Sequence, residues 1–258
     1  MPQRPSHSLI GTPFIELQTV DSTNNYALTQ IHAGLALAGT AIFAHHQSAG
    51  RGQRGRPWSS ENSKSLSLSL IINPAPLDTT RQFWLSACIA VTVCRLATKL
   101  TGHQFNIKWP NDLYWQDRKA GGILVESIVG PDPNGETRWK WAVAGIGLNI
   151  NQSGFPGELT NAVSFFQVNG VELKIIDLAR EICLEIDLAL EKMKEEGFNR
   201  IYTEFNDLLY KKNQIVRLRK DSRTFEGLIK GVSHTGELIV EHGVEQHYAV
   251  GEIQLVLT

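Results

Sequence analysis

Residues 119–151 read KAGGILVESIVGPDPNGETRWKWAVAGIGLNIN. Two apolar runs, KAGGILVESIV (119–129) and TRWKWAVAGIGLNIN (137–151), flank PDPNGE, whose Pro, Asp, Asn and Gly are residues that reverse a chain. The pattern predicts a long antiparallel hairpin. A sheet built on it is antiparallel or mixed, and with helices packed against it the fold class is α+β. The hairpin also carries an oddity. Gly121 and Gly122 open a buried-looking strand where side chains normally begin, which points to close approach between backbone and a ligand. Lys119 just before them would project over that ligand. Asn149 sits inside an apolar run and needs partners there, either protein groups or a ligand.

Working outward, FIELQTV (14–20) reads as a strand and DST (21–23) as a helix start ahead of NNYALTQIHAG. TAIFAHHQ (40–47) is a second strand. SLSLSLII (65–72) alternates strictly, as a strand with one buried face does. RQFWLSACIAVTVCRLATKL (81–100) is apolar almost all round and predicts a deeply buried helix. FNIKWP (105–110) and DLYW (112–115) are short strands around a Pro-Asn break. In 174–196, Ile175, Leu178, Ile182, Ile186, Leu190 and Met193 fall on one helical face, and a second helix over about 199–211 follows Gly197. After Asn213 the chain changes to short strands with Gly turns. The expected organisation is therefore a main domain, 1–212, and a small all-β module, 213–258.

The 258 residues are 42% apolar and 20% charged, enough for a sizeable core. A formal net charge of −1 gives no global field for nucleic acid or an acidic membrane, so any basic function is local. Cys88, Cys94 and Cys183 show neither zinc spacing nor a disulfide framework, which fits a reducing cytoplasm. The amino terminus lacks a signal-peptide apolar run, and no eighteen-residue apolar stretch is evident elsewhere. A soluble, cytoplasmic protein is expected, with no membrane partner.

The local basic feature is HHQSAGRGQRGRPW (45–58). Gly50, Gly52 and Gly55 let backbone N–H groups approach a ligand, and Arg51, Arg54 and Arg56 supply planar forks for carboxylate or phosphate. A solvated surface loop or an RGG-like RNA tail would also be basic. Its position between two strands argues for a loop that covers a ligand. No GK[ST] follows, so it is not a Walker A loop, and the dinucleotide fingerprint is absent. Ser22, Thr23 and Asn24 in DSTNN (21–25) offer hydroxyl and amide groups at a helix start, where a plain cap is the simpler reading. KWPND (108–112) places Lys108, Asn111 and Asp112 beside Trp109; this is either turn chemistry or a magnesium-nucleotide site with Asp112 as oxygen ligand. His45 and His46 point to opposite faces of their strand, and neither HExxH, GxSxG nor a telling Cys/His pair occurs.

Taken in order, DSTN (21–24), QSAGRGQRGRPW (47–58), KWPND (108–112), KAGGILVE (119–126) and GIGLNIN (145–151) closely resemble the motifs of the biotin protein ligases. The resemblance covers about 14–151, and the β module resembles the family's SH3-like carboxy-terminal domain. It implies a mixed sheet with helices, related to class II aminoacyl-tRNA synthetases and lipoate ligases. The activity it implies has two steps. Biotin attacks the α-phosphate of Mg-ATP to give biotinyl-5′-AMP, and a lysine on the biotin carboxyl carrier domain of a carboxylase then takes the biotinyl group.

The resemblance also implies roles. Ser22, Thr23, Asn24 and Gln47 would match the ureido head of biotin, while Gly50, Arg51, Gly52 and Gln53 would hold its carboxylate side. Lys119 and Arg51 would be catalytic, with Gly122 making room. Arg54, Arg56, Trp58, Lys108, Asn111 and Asn149 would bind ATP or the adenylate, with Asp112 towards Mg2+. Gln53 departs from the arginine of the family's GRGRRG, and Arg54 or Arg56 is expected to compensate. With the first ligase-like strand near Phe14, a monofunctional ligase without the repressors' DNA-binding domain is expected, as monomer or homodimer. A lipoate or octanoate ligase on the same scaffold, or a noncatalytic nucleic-acid-binding protein, are the rival readings.

Overall fold

The computed structural model describes residues 9–59, 61–132 and 134–256. The hairpin is its centre. β6 (Arg118–Pro131) and β7 (Thr137–Asn149) pair antiparallel from Gly121↔Leu148 to Pro131↔Thr137, with one register shift between Ile128 and Val129. At the turn, Asp132 Oδ1 accepts the Asn134 and Glu136 amides at 2.8 and 3.0 Å; Pro133 lies outside the described residues. Around the hairpin lie β1 (Phe14–Val20), β2 (Ala41–Gln47), β3 (Ser65–Ile72), β4 (Asn106–Lys108) and β5 (Asp112–Trp115), in the order β1-β2-β3-β7-β6-β5-β4. β1 and β2 run parallel, joined through α1 (Thr23–His32), and every other neighbouring pair is antiparallel. The fold is α+β as expected, and of the two arrangements the hairpin allows the parallel β1–β2 pair makes the sheet mixed.

Alternation along the strands sorts residues to two faces. Phe43, Leu66, Leu68, Leu70, Ile146 and Leu148 enter the main core with α2 (Gln82–Thr101) and α4 (Ile175–Glu196). By length and apolar composition the segment Thr79–Thr101 is enough to cross a membrane. Here it is the middle of the core: Ala87, Cys88, Ile89, Val91 and Cys94 are fully buried. On the opposite face, Ile42, Ile71 and Val143 pack with Ala27 of α1. SLSLSLII thus departs from its expected single buried face, because α1 and the segments beside it cover the serine side as well.

Three boundaries differ from the pattern reading. The strand expected over 105–110 is regular only at Asn106–Lys108, since Pro110 has no N–H to pair. The helix expected to 211 is α5 (Asn199–Asp207). Beyond it the backbone turns to bond β4, with Ile107 N donating to Leu208 O and Tyr210 N donating to Ile107 O. A short helix, α3 (Phe165–Asn169), is closed by a capping box of Ser164 and Gln167 that periodicity does not reveal.

The remaining strands, β8 (Ile215–Lys220), β9 (Arg223–Val232), β10 (Leu238–His242), β11 (Val244–Tyr248) and β12 (Gln254–Leu255), form a second sheet ordered β11-β10-β9-β8-β12, all antiparallel. This module is pinned to the first unit. Trp84 Nε1 donates to His234 O at 3.2 Å, Trp109 Nε1 to Gly236 O at 2.9 Å, and the Asn206 amide pairs with both backbone groups of Val232. Leu70 lies wholly in the main core, so Leu70→Ala is expected to lower stability by about 2–5 kcal/mol, read from the urea midpoint.

Candidate active site

One rung of the sheet builds the floor of the main cleft. Ser67 of β3 pairs with Gly147 of β7, Gly147 with Gly122 of β6, and Gly122 with Asp112 of β5. On the next rung of the same face stand Ser69, Gly145 and Leu124. The middle of this floor has no side chains, so groups from other segments settle onto it. A Cβ at Gly147 would lie 2.6 Å from Trp58 Cε2, and one at Gly145 would overlap the Asn24 carboxamide. At Gly122 it would meet Asp112 Oδ1 at 3.0 Å and Lys119 Nζ at 3.6 Å. The resulting cleft, about 320 Å³, is of the size that takes small molecules.

At one end the cleft is polar and buried. α1 begins at Ser22, whose side chain makes no capping bond; Gln47 Oε1 instead accepts the Thr23 amide at 2.8 Å and approaches its hydroxyl at 3.1 Å. Ser69 Oγ lies 2.7 Å from Thr23 Oγ1 and 2.6 Å from Asn24 Oδ1. The chain continues outward, with Asn24 Nδ2 donating to Glu126 Oε2 at 2.7 Å. Arg51 forks onto Glu126 (Nη2 to Oε1, 2.8 Å) and onto Asn25 Oδ1 (2.8 Å). Ser22, Thr23, Asn24, Gln47 and Arg51 are brought together as expected. Ser67, Ser69, Gly145 and Glu126 belong to the same assembly, and the signal for the serines was the strict alternation of SLSLSL.

The other end is cationic. Lys119 Nζ lies 2.7 Å from Asp112 Oδ1 and 5.9 Å from the centre of the Trp58 ring. Lys108, largely buried, donates to Tyr114 OH at 3.3 Å. Burial holds its ammonium below the usual lysine range; Asp112 opposes the shift, and Lys119 and Arg56 add to it. Asn111 lines the cleft while its amide donates to Ile123 O. Gln53 and Arg56 line the mouth. Trp58 Nε1 and Ser67 Oγ both border the cleft, are buried, and have no hydrogen-bond partner among the described residues, as fits groups that meet a ligand.

Two expected site residues stand outside the lining and a third is held within it. Gly50 is packed beneath the Trp58 backbone and Gln47 rather than lining the cleft. Asn149 donates to Val163 O at 3.1 Å and lies outside the lining, so its buried amide is satisfied by protein. Arg54 lines the cleft, but its guanidinium is held by the carbonyls of Val250 and Gly251. The buried thiols of Cys88, Cys94 and Cys183 are pushed up to about 12, which leaves no thiolate for nucleophilic work. No cluster of three metal-ligating side chains occurs among the described residues. Lys108 carrying a 13C-methyl label by reductive methylation is expected to titrate below the usual lysine range in an NMR pH series; titration within that range would contradict the burial.

Residues 16–135 match the biotin/lipoate A/B protein ligase family, and 213–256 match the biotin protein ligase C-terminal domain. The chain is 32% identical to the bifunctional ligase/repressor BirA of Escherichia coli over 251 residues, which is 96% of this chain and 75% of that protein. It is 30% identical to the biotin–[acetyl-CoA-carboxylase] ligase of Mycobacterium tuberculosis over 51% of this chain and 47% of the other. Among solved structures, the Aquifex aeolicus biotin protein ligase in complex with biotin and ATP superposes with a TM-score of 0.78 at 25% identity, over 95% of this chain and 99% of the other. With these similarities across both units and the cleft they enclose, the chain belongs to the biotin protein ligase family.

Proposed function

We propose that this protein activates biotin with ATP and transfers the biotinyl group to a lysine of a biotin carboxyl carrier domain, as a biotin–[acetyl-CoA-carboxylase] ligase. The observation that carries the reading is the polarity along this cleft. A neutral hydrogen-bonding end at Ser22, Thr23, Asn24 and Gln47 passes over a glycine floor to a cationic end at Lys119 and Lys108. A neutral ureido ring joined by an alkyl chain to a carboxylate, and then to phosphate, matches that sequence of surfaces.

In the first step the biotin carboxylate oxygen attacks the α-phosphorus, a mixed anhydride forms and pyrophosphate leaves. Lys119, paired with Asp112 at the cationic end, would stabilise electrostatically the charge that develops between carboxylate and α-phosphate. Arg51 offers a second fork towards the carboxylate by exchanging it for Glu126. In the second step an acceptor amine attacks the acyl carbon, the amide forms and AMP departs with the C–O electron pair. Trp58 over Gly147 shields the anhydride from water. Asp112 is the one carboxylate among the described lining residues, which fits Mg2+ arriving with the nucleotide phosphates rather than a resident ion. That ion would neutralise charge on the leaving pyrophosphate.

A lipoyl or octanoyl substrate brings no ureido group and would leave the Thr23–Asn24–Ser69 network facing apolar atoms, so biotin is favoured. A nucleic-acid-binding role loses ground because the Gly/Arg loop is folded onto the cleft. A cytoplasmic location agrees with ATP as substrate and three free thiols. The chain is expected to catalyse biotin-dependent exchange of pyrophosphate into ATP; exchange with lipoate and none with biotin would overturn the specificity. Lys119→Gln should reduce that exchange by about 10²–10³-fold with the fold intact by circular dichroism. Arg54 and Arg56 both keep their charge beside Gln53 and are expected to compensate for the charge it lacks, so Gln53→Arg should leave release of biotinyl-AMP little changed in a trapping assay; a large slowing would overturn the compensation.

A further inference from the structure

The tip of the Gly/Arg loop leaves the catalytic unit and grips the carboxy-terminal module. Arg54 Nη2 donates to Val250 O at 2.5 Å and Nη1 to Gly251 O at 3.2 Å. We infer that Arg54 is a positioning residue: its guanidinium latches the loop to the 250–251 turn, and through that latch the module keeps the cleft closed over its ligand. The inference rests on the ligase reading for what is enclosed, and on geometry alone for the latch.

Several independent features agree. Arg54 (φ 56°) and Gly55 (φ 73°) form the left-handed pair at the tip of the hairpin, a turn that holds the Arg54 side chain out from the loop. The receiving turn is shaped to match. Gly251 has φ +90°, and any Cβ there would fall on the Arg54 guanidinium, which lies flat against the bare backbone. Carbonyl acceptors satisfy the guanidinium without neutralising it, so its positive charge still acts at the mouth of the cleft. Below the tip the loop is a narrow stem, closed by Gly52 N donating to Arg56 O at 2.7 Å and Trp58 N donating to Gly50 O at 2.8 Å. That stem carries Arg51 to Glu126 and Trp58 to the Gly147 floor, so holding the tip holds both. The module also supplies a wall: Leu218, Ile229, Leu238, Ile253 and Leu255 border the same cleft.

The competing role for Arg54 is direct contact with phosphate, and a double-mutant cycle separates the two. Arg54→Ala, Gly251→Ala and the double variant are compared in the full chain. One measurement is amide hydrogen exchange at Gly52 and Trp58 without ligand; the other is the rate at which biotinyl-AMP escapes. The latch predicts that each single change raises both rates by about tenfold or more, the weight of a charge-assisted hydrogen bond, and that the double is no worse than either single. Unchanged rates in Gly251→Ala, or effects that multiply in the double, overturn it. Should Gly251→Ala fail to fold, Arg54→Met decides. A thioether has no donor for the two carbonyls and so leaves loop exchange fast, whereas wild-type exchange in Arg54→Met would overturn the latch. The exchange arm needs no substrate, so failure of the latch and failure of the ligase reading are told apart.

Discussion

The site depends on one rung of backbone in which two neighbouring strands both lack a side chain. Gly147 and Gly122 lie opposite each other on β7 and β6, flanked by Ser67 and Asp112. Strand pairing at this rung fixes a bare strip, and everything that reaches the cleft is placed relative to it. Trp58 and Asn24 rest on glycines, and the Lys119–Asp112 pair spans the edge of Gly122. A slip of one residue in the β6–β7 register would present core-facing side chains to this strip and close it, which is why a long, strongly paired hairpin suits the role.

Three cations of the cleft are each held by a group that a ligand can replace or accompany. Arg51 is held by Glu126 and Asn25, Lys119 by Asp112, and Arg54 by two carbonyls. Such pairing keeps like charges from repelling one another and fixes their positions before a ligand arrives. A carboxylate or phosphate then exchanges partners with cations already in place, which limits the ordering that binding must impose. The pairs are partly exposed, so their value lies in placement more than in stability.

Legibility followed the range of the forces involved. Strands, long helices and the change of character after Asn213 came from periodicity and turn residues, which are local. The polar residues of DSTN, Gln47, Arg51, Lys119 and Gly122 were legible as motif members. Ser67 and Ser69 were set on the face opposite the leucines by alternation, but nothing local showed that a cleft covers that face or that Gly145 joins them there. Asn149 was legible as a buried amide needing partners, and those partners proved to be the carbonyls of Val163 and Lys119. Glu126 is paired with Asn24 and Arg51, each from a distant segment, and no spacing rule reaches that far.

By itself, then, the order of residues determined an antiparallel or mixed sheet with helices around a long hairpin, a trailing β module, and a set of polar and cationic motifs. Only the tertiary structure decided which of them share a cleft. Hydrophobic alternation assigns a face to each strand, but the pairing of β3, β7, β6 and β5 aligns Ser67, two glycines and Asp112 into a floor. It also decided the job of Arg54. A guanidinium forks equally well onto phosphate or onto carbonyls, and its partner is set by which backbone the fold brings within about 3 Å.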